Sequence, residues 1–179
     1  MKTNLITVSE KNLDAVIDLR YASTNNFTCC KIYKKHKCIL REDAFEHLVL
    51  ASELANKIGL KLKIFDAFRP ISAQEKLWAI LPNPEFIASP KKGSPHSRGI
   101  AVDLTLIDKK NNELDMGTDF DEFSKLSFHG SKEVSKAAFN NRLILLGIMT
   151  DAGWDFFRNE WWHYQLFNSK KYPLIAKDL

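Results

Sequence analysis

The sequence predicts an α+β fold, a single domain over residues 1–179 with a central antiparallel sheet flanked by helices. Two long helical patterns and several short β-prone segments occur without the regular strand–helix alternation of a doubly wound sheet. The length of 179 residues and a hydrophobic content of 45% are typical of a domain with a substantial buried core. Neither G-x-G-x-x-G nor G-x-x-x-x-G-K occurs, which argues against a nucleotide cofactor.

The first third of the chain predicts two strands and a long helix. Residues 5–8 have the apolar character of an edge strand, and residues 13–20 are consistent with a short helix or turn. Residues 43–58 repeat apolar side chains with a helical period, and Gly59 follows where such a helix can end. Residues 60–65 alternate apolar residues with lysine, which predicts a half-buried strand.

The middle of the chain predicts a second helix, a loop and a buried strand. Ser72 and Glu75 have the spacing of a capping box, so a helix should begin there and run to Ile80. Residues 81–93 contain three prolines and a glycine, which predicts a loop. Residues 100–107 are almost continuously apolar and predict a buried strand, and the polar residues 108–113 suit a hairpin turn.

The last third predicts one helix and one strand. Residues 133–151 have a helical pattern that should end near Gly153. Residues 161–167 are aromatic and β-prone, which predicts a central strand.

Charge and cysteine content limit the possible partners and compartment. The net charge is only +4, so the basic run around Lys34 and His36 is better explained by a solvated loop than by nucleic-acid binding. Cys29, Cys30 and Cys38 are an odd number of thiols, which favours a reducing compartment and therefore the cytoplasm. No signal-peptide pattern and no membrane-length apolar segment occurs; the periplasm is the alternative if a signal peptide has been removed.

Two segments, residues 94–103 and 160–163, contain the candidate chemistry. His96, Asp103 and His163 form a sufficient ligand set for a catalytic zinc with one position left for water. Glu160 is placed where it could act as a general base toward that water. His96 and Asp103 are an odd number of residues apart, so His96 should precede the strand, and Gly99 could allow the bend.

Each candidate also has a structural interpretation. Asp103 could form an ion pair with Arg98, and His163 could be a core histidine. Glu160 could be a solvated residue at a strand end. Arg69 could bridge the end of a strand to Asp66, or it could face the oxyanion of a tetrahedral intermediate.

Other nucleophiles and ligands are weaker candidates. His129 is the main rival ligand, although its polar, glycine-flanked setting favours a solvated side chain. His36 and His47 are expected to be structural or exposed. The chain has no G-x-S-x-G sequence, which argues against catalysis by a serine nucleophile.

Five segments in order also carry a family resemblance. They are residues 18–27 (DLRYASTNNF), 66–70 (DAFRP), 94–106 (SPHSRGIAVDLTL), 116–121 (MGTDFD) and 160–163 (EWWH). Together they resemble the zinc D-alanyl-D-alanine dipeptidases, relatives of the D,D-carboxypeptidases of bacterial cell-wall metabolism. The family's fold is a small α+β domain with a central antiparallel sheet, in agreement with the pattern above.

The resemblance implies a role for each matching position. It implies one zinc ion per chain, bound by His96, Asp103 and His163, with Glu160 as general base and Arg69 as stabiliser of the transition state. It also implies that the substrate pocket is lined by Ser94, Tyr21 and Asp121. Tyr21 and Asp121 would lie near the free amine of the substrate. A helix N-cap before Glu122 is the alternative for Asp121, and a packed core ring is the alternative for Tyr21. Ala67 and Phe68 stand where relatives often carry Gly and Tyr, so the resemblance does not define the local shape of the pocket there.

The function implied is zinc-dependent hydrolysis of the D-alanyl-D-alanine dipeptide, with a small dipeptide as the partner. The alternatives are a D,D-carboxypeptidase or peptidoglycan endopeptidase acting on longer peptides, a peptidase for ordinary L-dipeptides, and a non-catalytic binding module on the same scaffold. A binding module would usually lack the base or a ligand, and this chain retains both.

Overall fold

A computed structural model describes residues 4–34, 37–176 and 179. Its regular elements, in chain order, are β1 (Leu5–Thr7), β2 (Ala15–Ile17), β3 (Ile39–Arg41), α1 (Glu42–Lys57), β4 (Lys61–Asp66), α2 (Ile71–Ile80), β5 (Ala101–Ile107), α3 (Lys136–Asp151), β6 (Asp155–Phe156) and β7 (His163–Gln165). The predicted α+β class is confirmed. Within the described ranges, no helix combines the length and apolar character needed to cross a bilayer.

The main sheet has five strands in the order β2-β4-β5-β7-β6, and β1 pairs with β3 in a separate two-stranded sheet. β2 runs parallel to β4, while the other neighbours in the main sheet are antiparallel. The expected antiparallel sheet is therefore mixed. The segment at residues 5–8 does form a strand, but it lies in the small sheet rather than at an edge of the main one.

The expectation of a helix or turn at residues 13–20 is wrong. Residues Ala15–Ile17 form strand β2, and a single 3₁₀ turn follows at Arg20–Ala22. The apolar residues of this segment fit a helical period, but pairing with β4 decides the local structure. Such a short strand carries too little periodicity for its sequence to reveal the pairing.

The predicted helix over residues 43–58 is confirmed as α1, which begins at Glu42. Its buried face is built from small residues and one leucine: Ala44, Leu48, Ala51, Ser52 and Ala55. Leu50 and Ile58, two of the apolar residues in the helical pattern of residues 43–58, are exposed. The small side chains allow α1 to pack closely against the sheet.

The other two helices differ from expectation at their first turns. α2 begins at Ile71 with Pro70 in the N-cap position, so the predicted capping box at Ser72 does not define its start. α3 begins at Lys136 rather than at residue 133, because the Ser135 hydroxyl accepts a hydrogen bond from the Ala138 amide at 3.0 Å. This hydrogen bond satisfies one of the free amides at the helix N-terminus.

The two faces of β5 have different functions. Val102, Leu104 and Leu106 belong to the hydrophobic core that includes residues of α1 and α3. The alternate side chains, Asp103 among them, face the other side of the sheet. The predicted buried strand is confirmed, and the hairpin turn at residues 108–113 is closed by a bridge between Ile107 and Glu113.

A β-bulge in β4 lies beside this polar face. Ile64 pairs with Leu104 and Asp66 pairs with Asp103, so β4 advances by two residues where β5 advances by one. In a regular ladder, Phe65 rather than Asp66 would oppose Asp103. Bulges of this kind redirect a side chain next to a functional site, and here Asp66 is brought opposite Asp103.

The prediction of a central strand at residues 161–167 is only partly correct. The strand is limited to His163–Gln165 and is next to the edge of the sheet, with β6 outside it. Trp161 and Trp162 precede it in a turn, and both indoles are buried. Their packing, rather than a ladder of strand hydrogen bonds, accounts for the aromatic pattern of the segment.

Candidate metal centre

Three side chains distant in sequence converge on the polar face of the sheet. His96 Nε2 lies 3.1 Å from His163 Nδ1 and 3.3 Å from Asp103 Oδ1, and His163 Nδ1 lies 3.0 Å from the same oxygen. All three residues are buried. Among the described residues, they are the group of histidine, cysteine and acidic side chains whose ligand atoms are close enough to share a metal ion.

The backbone explains how the three residues meet. Asp103 and His163 are direct partners in the register of β5 and β7, so they project from the same face. His96 lies before β5, in a 3₁₀ turn at His96–Arg98, as the odd spacing predicts. Gly99 ends this turn with φ +70°, which is the left-handed conformation that glycine adopts without strain.

The protonation of the two imidazoles fits a metal ligand role. His96 Nδ1 lies 2.7 Å from the Ala67 carbonyl oxygen, and His163 Nε2 lies 3.2 Å from Gln165 Oε1. Because both oxygens accept hydrogen bonds, these nitrogens carry the protons and the lone pairs of His96 Nε2 and His163 Nδ1 face Asp103. Two lone pairs and one carboxylate oxygen at such short separations form a group that could hold a cation. Nitrogen and oxygen ligands of this kind suit zinc.

Asp103 is an ionised carboxylate despite its burial. Burial alone would raise the pKa of Asp103, but His96 and His163 hold it well below its ordinary value when their rings are protonated, and a cation bound between neutral rings would act in the same direction. Its other oxygen lies 3.4 Å from the Arg69 guanidinium. The alternative ion pair with Arg98 is wrong, because Arg98 donates to the carbonyl oxygens of Tyr172 and Lys92.

Glu160 is buried at the wall of the same site rather than solvated at a strand end. Its Oε2 lies 4.0 Å from His163 Nδ1. Burial raises the pKa of Glu160 well above its ordinary value, and the nearby Asp103 and Asp121 raise it further. A carboxylate in this environment is a stronger base than an exposed one.

Arg69 bridges the end of β4 to Asp66, and its position at the cavity is compatible with the second role considered for it. Its guanidinium donates to Asp66 Oδ2 at 2.9 Å and to Gln74 Oε1 at 3.0 Å, and it also lines the cavity that contains the metal ligands. Burial disfavours its charge, but the adjacent Asp66 and other acidic groups hold the pKa of Arg69 well above its ordinary value. Asp66 also accepts a hydrogen bond from the buried Tyr33 hydroxyl. Arg69 is therefore a fixed cation at the site.

A cavity of about 360 Å³ opens onto these residues, and Ser94, Tyr21 and Asp121 line it. The Tyr21 hydroxyl donates to Asp121 Oδ2 at 2.8 Å. Ser94 Oγ accepts a hydrogen bond from the His96 amide at 3.2 Å, which joins the pocket wall to the ligand-bearing turn.

The structural alternatives for Asp121 and Tyr21 have different outcomes. Asp121 does not cap a helix at Glu122: it has φ +64°, and the next helical turn begins at Lys125. Burial raises the pKa of its carboxyl group well above the ordinary value. Tyr21 is indeed a packed ring, in edge contact with Tyr33 and Phe120, yet its hydroxyl reaches the cavity wall.

The other histidines lie outside the cluster. The His129 ring packs against Phe156 and Tyr164, and burial lowers its pKa to about 4, so it is a partly buried, packed histidine rather than a solvated one. His47 Nδ1 lies 2.7 Å from the Ala152 carbonyl oxygen and has a structural role. The prediction for His36 lies outside the described residues.

Two glutamines at the site escaped the sequence analysis. Gln74 holds Arg69 and donates to the Ala88 carbonyl oxygen at 2.7 Å, which links α2 to the loop at residues 81–93. Gln165 contacts the ring of His163. Gln165 stands two residues after His163 in a β-prone segment. The two-residue period of a strand therefore places both side chains on the same face, and this was the available sequence signal. Gln74 offered no such signal, because a glutamine on an amphipathic helix is ordinary.

Comparison with known proteins is consistent with this arrangement. A family model described as D-ala-D-ala dipeptidase matches residues 1–176. The chain is similar to the D-alanyl-D-alanine dipeptidase of Escherichia coli (strain K12), with 41% identity over 174 residues that cover 97% of this chain and 90% of the relative. It is 33% identical over 177 residues to the protein of the same name from Enterococcus faecalis, with 87% of each chain covered. A relative of that name from Streptomyces coelicolor is 29% identical over 170 residues, which cover 83% of this chain and 84% of the relative.

Proposed function

The chain belongs to the D-ala-D-ala dipeptidase family, and from this membership we propose that it hydrolyses the dipeptide D-alanyl-D-alanine with one zinc ion bound by His96, Asp103 and His163. The observation that carries the proposal is the convergence of His96 Nε2, Asp103 Oδ1 and His163 Nδ1 within 3.3 Å of one another in a cavity that also contains Glu160 and Arg69. Ligand binding alone does not require a buried general base beside such a cluster, which favours an enzyme over a binding module.

Glu160 acts as general base and then as general acid. A zinc ion at the three ligands would supply a Lewis acid that polarises the scissile carbonyl and lowers the pKa of a water molecule. The Glu160 carboxylate accepts a proton from the attacking water as the water oxygen bonds to the carbonyl carbon. The same proton passes to the amine nitrogen as the carbon–nitrogen bond breaks, which leaves two molecules of D-alanine.

Arg69 stabilises the negative charge that develops on the carbonyl oxygen. Its guanidinium is already held by Asp66 and Gln74, so it needs little reorganisation when that charge appears. Fixed donors in a site shielded from water are more effective than mobile ones, because they are oriented before the reaction begins.

Asp121 and Tyr21 recognise the free ammonium group of the substrate. A buried carboxylate is costly without a counter-charge, and the pKa of Asp121 is raised mainly by its burial. An ammonium ion in the pocket would remove that cost by pairing with the ionised carboxylate. This requirement favours free dipeptides over longer, N-acylated wall peptides.

The direct test is metal analysis of the purified protein combined with an assay on D-alanyl-D-alanine, with and without a chelator. We expect one zinc ion per chain, hydrolysis that is lost on chelation, and recovery on addition of zinc. His96→Ala should lose stoichiometric zinc. Hydrolysis that persists in metal-free protein would overturn the proposal.

Substrate length and chirality are tested in the same assay. N-acetylated tripeptides that end in D-alanyl-D-alanine, and L-alanyl-L-alanine, should be poor substrates compared with the free D,D-dipeptide. If the N-acylated peptides were preferred, a D,D-carboxypeptidase or endopeptidase function would replace the one proposed.

We also propose that the protein acts in the cytoplasm. Cys29 and Cys30 are exposed and unpaired, which supports a reducing environment. Fractionation of the producing cells would test the compartment, and recovery of the protein with the periplasmic contents would contradict it.

A further inference from the structure

Gln165 is the last residue of β7 and lies two residues after the candidate ligand His163. Because side chains alternate along a strand, the two residues project from the same face of the sheet. Gln165 Oε1 lies 3.2 Å from His163 Nε2, and the glutamine also lines the cavity. Its partner across the ladder is Ala101, whose small side chain leaves room for the amide on that face.

The two histidines of the cluster are oriented by different kinds of acceptor. His96 Nδ1 faces a backbone carbonyl oxygen, that of Ala67, which no substitution at residue 67 would remove. His163 instead depends on a side chain, because its outer nitrogen faces the amide of Gln165. The orientation of His163 is therefore the one that a single substitution can disturb.

The proton on His163 determines whether its inner nitrogen can bind a cation. The nitrogen that faces Asp103 and His96 is Nδ1, so a ligand role requires a lone pair on Nδ1 and a proton on Nε2. An oxygen acceptor opposite Nε2 favours that tautomer and fixes the plane of the ring. The amide oxygen of Gln165 meets this need, whereas an aliphatic side chain would leave the buried N–H without a partner.

We infer that Gln165 is a positioning residue for the metal centre: its amide oxygen accepts the His163 Nε2 proton and so holds the Nδ1 lone pair toward the ion. This inference rests on the proposed zinc-dependent function. The effect of Gln165 is exerted through His163, and we assign it no contact with the reacting atoms. Acceptors of this kind around metal-binding histidines change metal affinity by about 10- to 100-fold.

The test compares two substitutions of similar size, Gln165→Met and Gln165→Glu. The methionine removes the acceptor, so we expect zinc affinity, measured by competition with a chromogenic chelator, to fall by about 10- to 100-fold. The glutamate keeps an acceptor and should bind zinc at least as tightly as the unaltered protein. Asp155→Asn is a matched control on β6, because Asp155 is the other ladder partner of Gln165 and its carboxylate accepts a hydrogen bond from the Phe156 amide. It should leave zinc affinity unchanged.

A second measurement separates positioning from general destabilisation. In proton NMR spectra of the zinc-bound proteins, the His163 Nε2 proton should be visible in the unaltered protein and in Gln165→Glu. It should exchange faster with water in Gln165→Met. The metal-free Gln165→Met protein should still unfold cooperatively and within several degrees of the unaltered protein, because the methionine preserves the side-chain volume and only one hydrogen bond is lost.

The outcomes distinguish the two proposals. Unchanged zinc affinity in Gln165→Met, or weaker binding in Gln165→Glu, would overturn the role of Gln165 and leave the proposed function intact. Absence of zinc binding by the unaltered protein would overturn both.

Discussion

Glu160 is the residue on which the proposed chemistry depends most directly. It is buried beside His163, and its burial together with neighbouring acids raises its pKa. A carboxylate whose charged form is destabilised by burial is a good proton acceptor, and the same carboxyl group can later return the proton to a leaving amine. Its role is therefore separable from that of the three candidate ligands.

Glu160→Gln should separate binding of the metal from catalysis. The amide has nearly the same shape but cannot accept the proton, so kcat should fall by about 10²- to 10⁴-fold while one zinc ion per chain is retained. Steady-state kinetics and metal analysis of the same preparation would measure both. Glu122→Gln, at an exposed position next to the pocket residue Asp121, is the control and should change neither. Full activity in Glu160→Gln would remove Glu160 from the role of base.

Sequence patterns identified the residues that the structure brings together more readily than the residues that hold them in place. Polar groups in apolar or glycine-marked segments are unusual, and this identifies candidates for a site. His96, Asp103, His163 and Glu160 all stand in such segments. Gln165 could not be recognised in the same way. A glutamine is unremarkable in any setting, and its contact with His163 depends on the exact extent of β7.

At the scale of elements, the turn that carries His96 is held by distant parts of the chain. Arg41 donates to the Arg98 carbonyl oxygen at 2.7 Å and to the Pro173 carbonyl oxygen at 2.8 Å. The Ile175 amide donates to the Ser97 carbonyl oxygen at 2.9 Å. Residues 172–175 thus lie against the turn, and the position of His96 depends on contacts outside its own segment.

Gly99 is where this packing leaves no space. It has φ +70°, and a Cβ atom there would lie 3.0 Å from Ile175 Cδ1. We expect Gly99→Ala to destabilise the fold by about 1–2 kcal/mol through backbone strain, with a further steric cost, and to weaken zinc binding by displacing His96. Denaturant unfolding and chelator competition would measure the two effects.

Gly130→Ala is the matched control for Gly99→Ala. Gly130 also has a positive φ, +77°, but a Cβ atom there would meet nothing within 4 Å. It should show the backbone cost alone and leave zinc affinity unchanged. Equal effects of the two substitutions on stability and on zinc binding would contradict the role assigned to the packing of residues 172–175 against the turn.

The elements that the sequence missed, such as β2, or predicted with the wrong extent, such as β7, are defined by pairing rather than by periodicity. α1 and β5 are long enough for their own apolar patterns to identify them. β2 and β7 have three residues each, and their conformation is determined by the strands beside them. A pattern of three residues does not distinguish a strand from a turn, and the extent of such a strand is determined by its hydrogen bonds to the neighbouring strands.

At the scale of the whole molecule, the candidate metal centre is a long-range structure. His163 is 67 residues from His96 and 60 from Asp103 in the sequence, and the three meet only when β5 and β7 are paired. An ion that binds this arrangement binds the folded state and not the unfolded chain. By mass action, metal binding should therefore stabilise the fold.

Removal of zinc should lower the unfolding temperature. At a free zinc concentration 100 times Kd, the stabilisation is about 2.7 kcal/mol, which corresponds to a shift of roughly 5–10 °C for a chain of this size. Scanning calorimetry with and without chelator would measure it. Glu160→Gln should retain the shift and His96→Ala should lose it. A shift retained in His96→Ala would indicate that the stabilising ion binds elsewhere.

The bulge in β4 has a consequence for anyone who would redesign this sheet. Deleting one residue at Phe65 would restore an unbroken ladder between β4 and β5, and judged by backbone geometry alone it would be an improvement. The deletion would keep Asp66 opposite Asp103, but it would draw the following residues one position toward β4. It would therefore displace the Ala67 carbonyl oxygen that faces His96 Nδ1 and the Arg69 guanidinium that donates to Asp66. A variant with a regular ladder at this point would have a more regular sheet but a disturbed site. A redesign that keeps the candidate ligands therefore also has to keep the bulge.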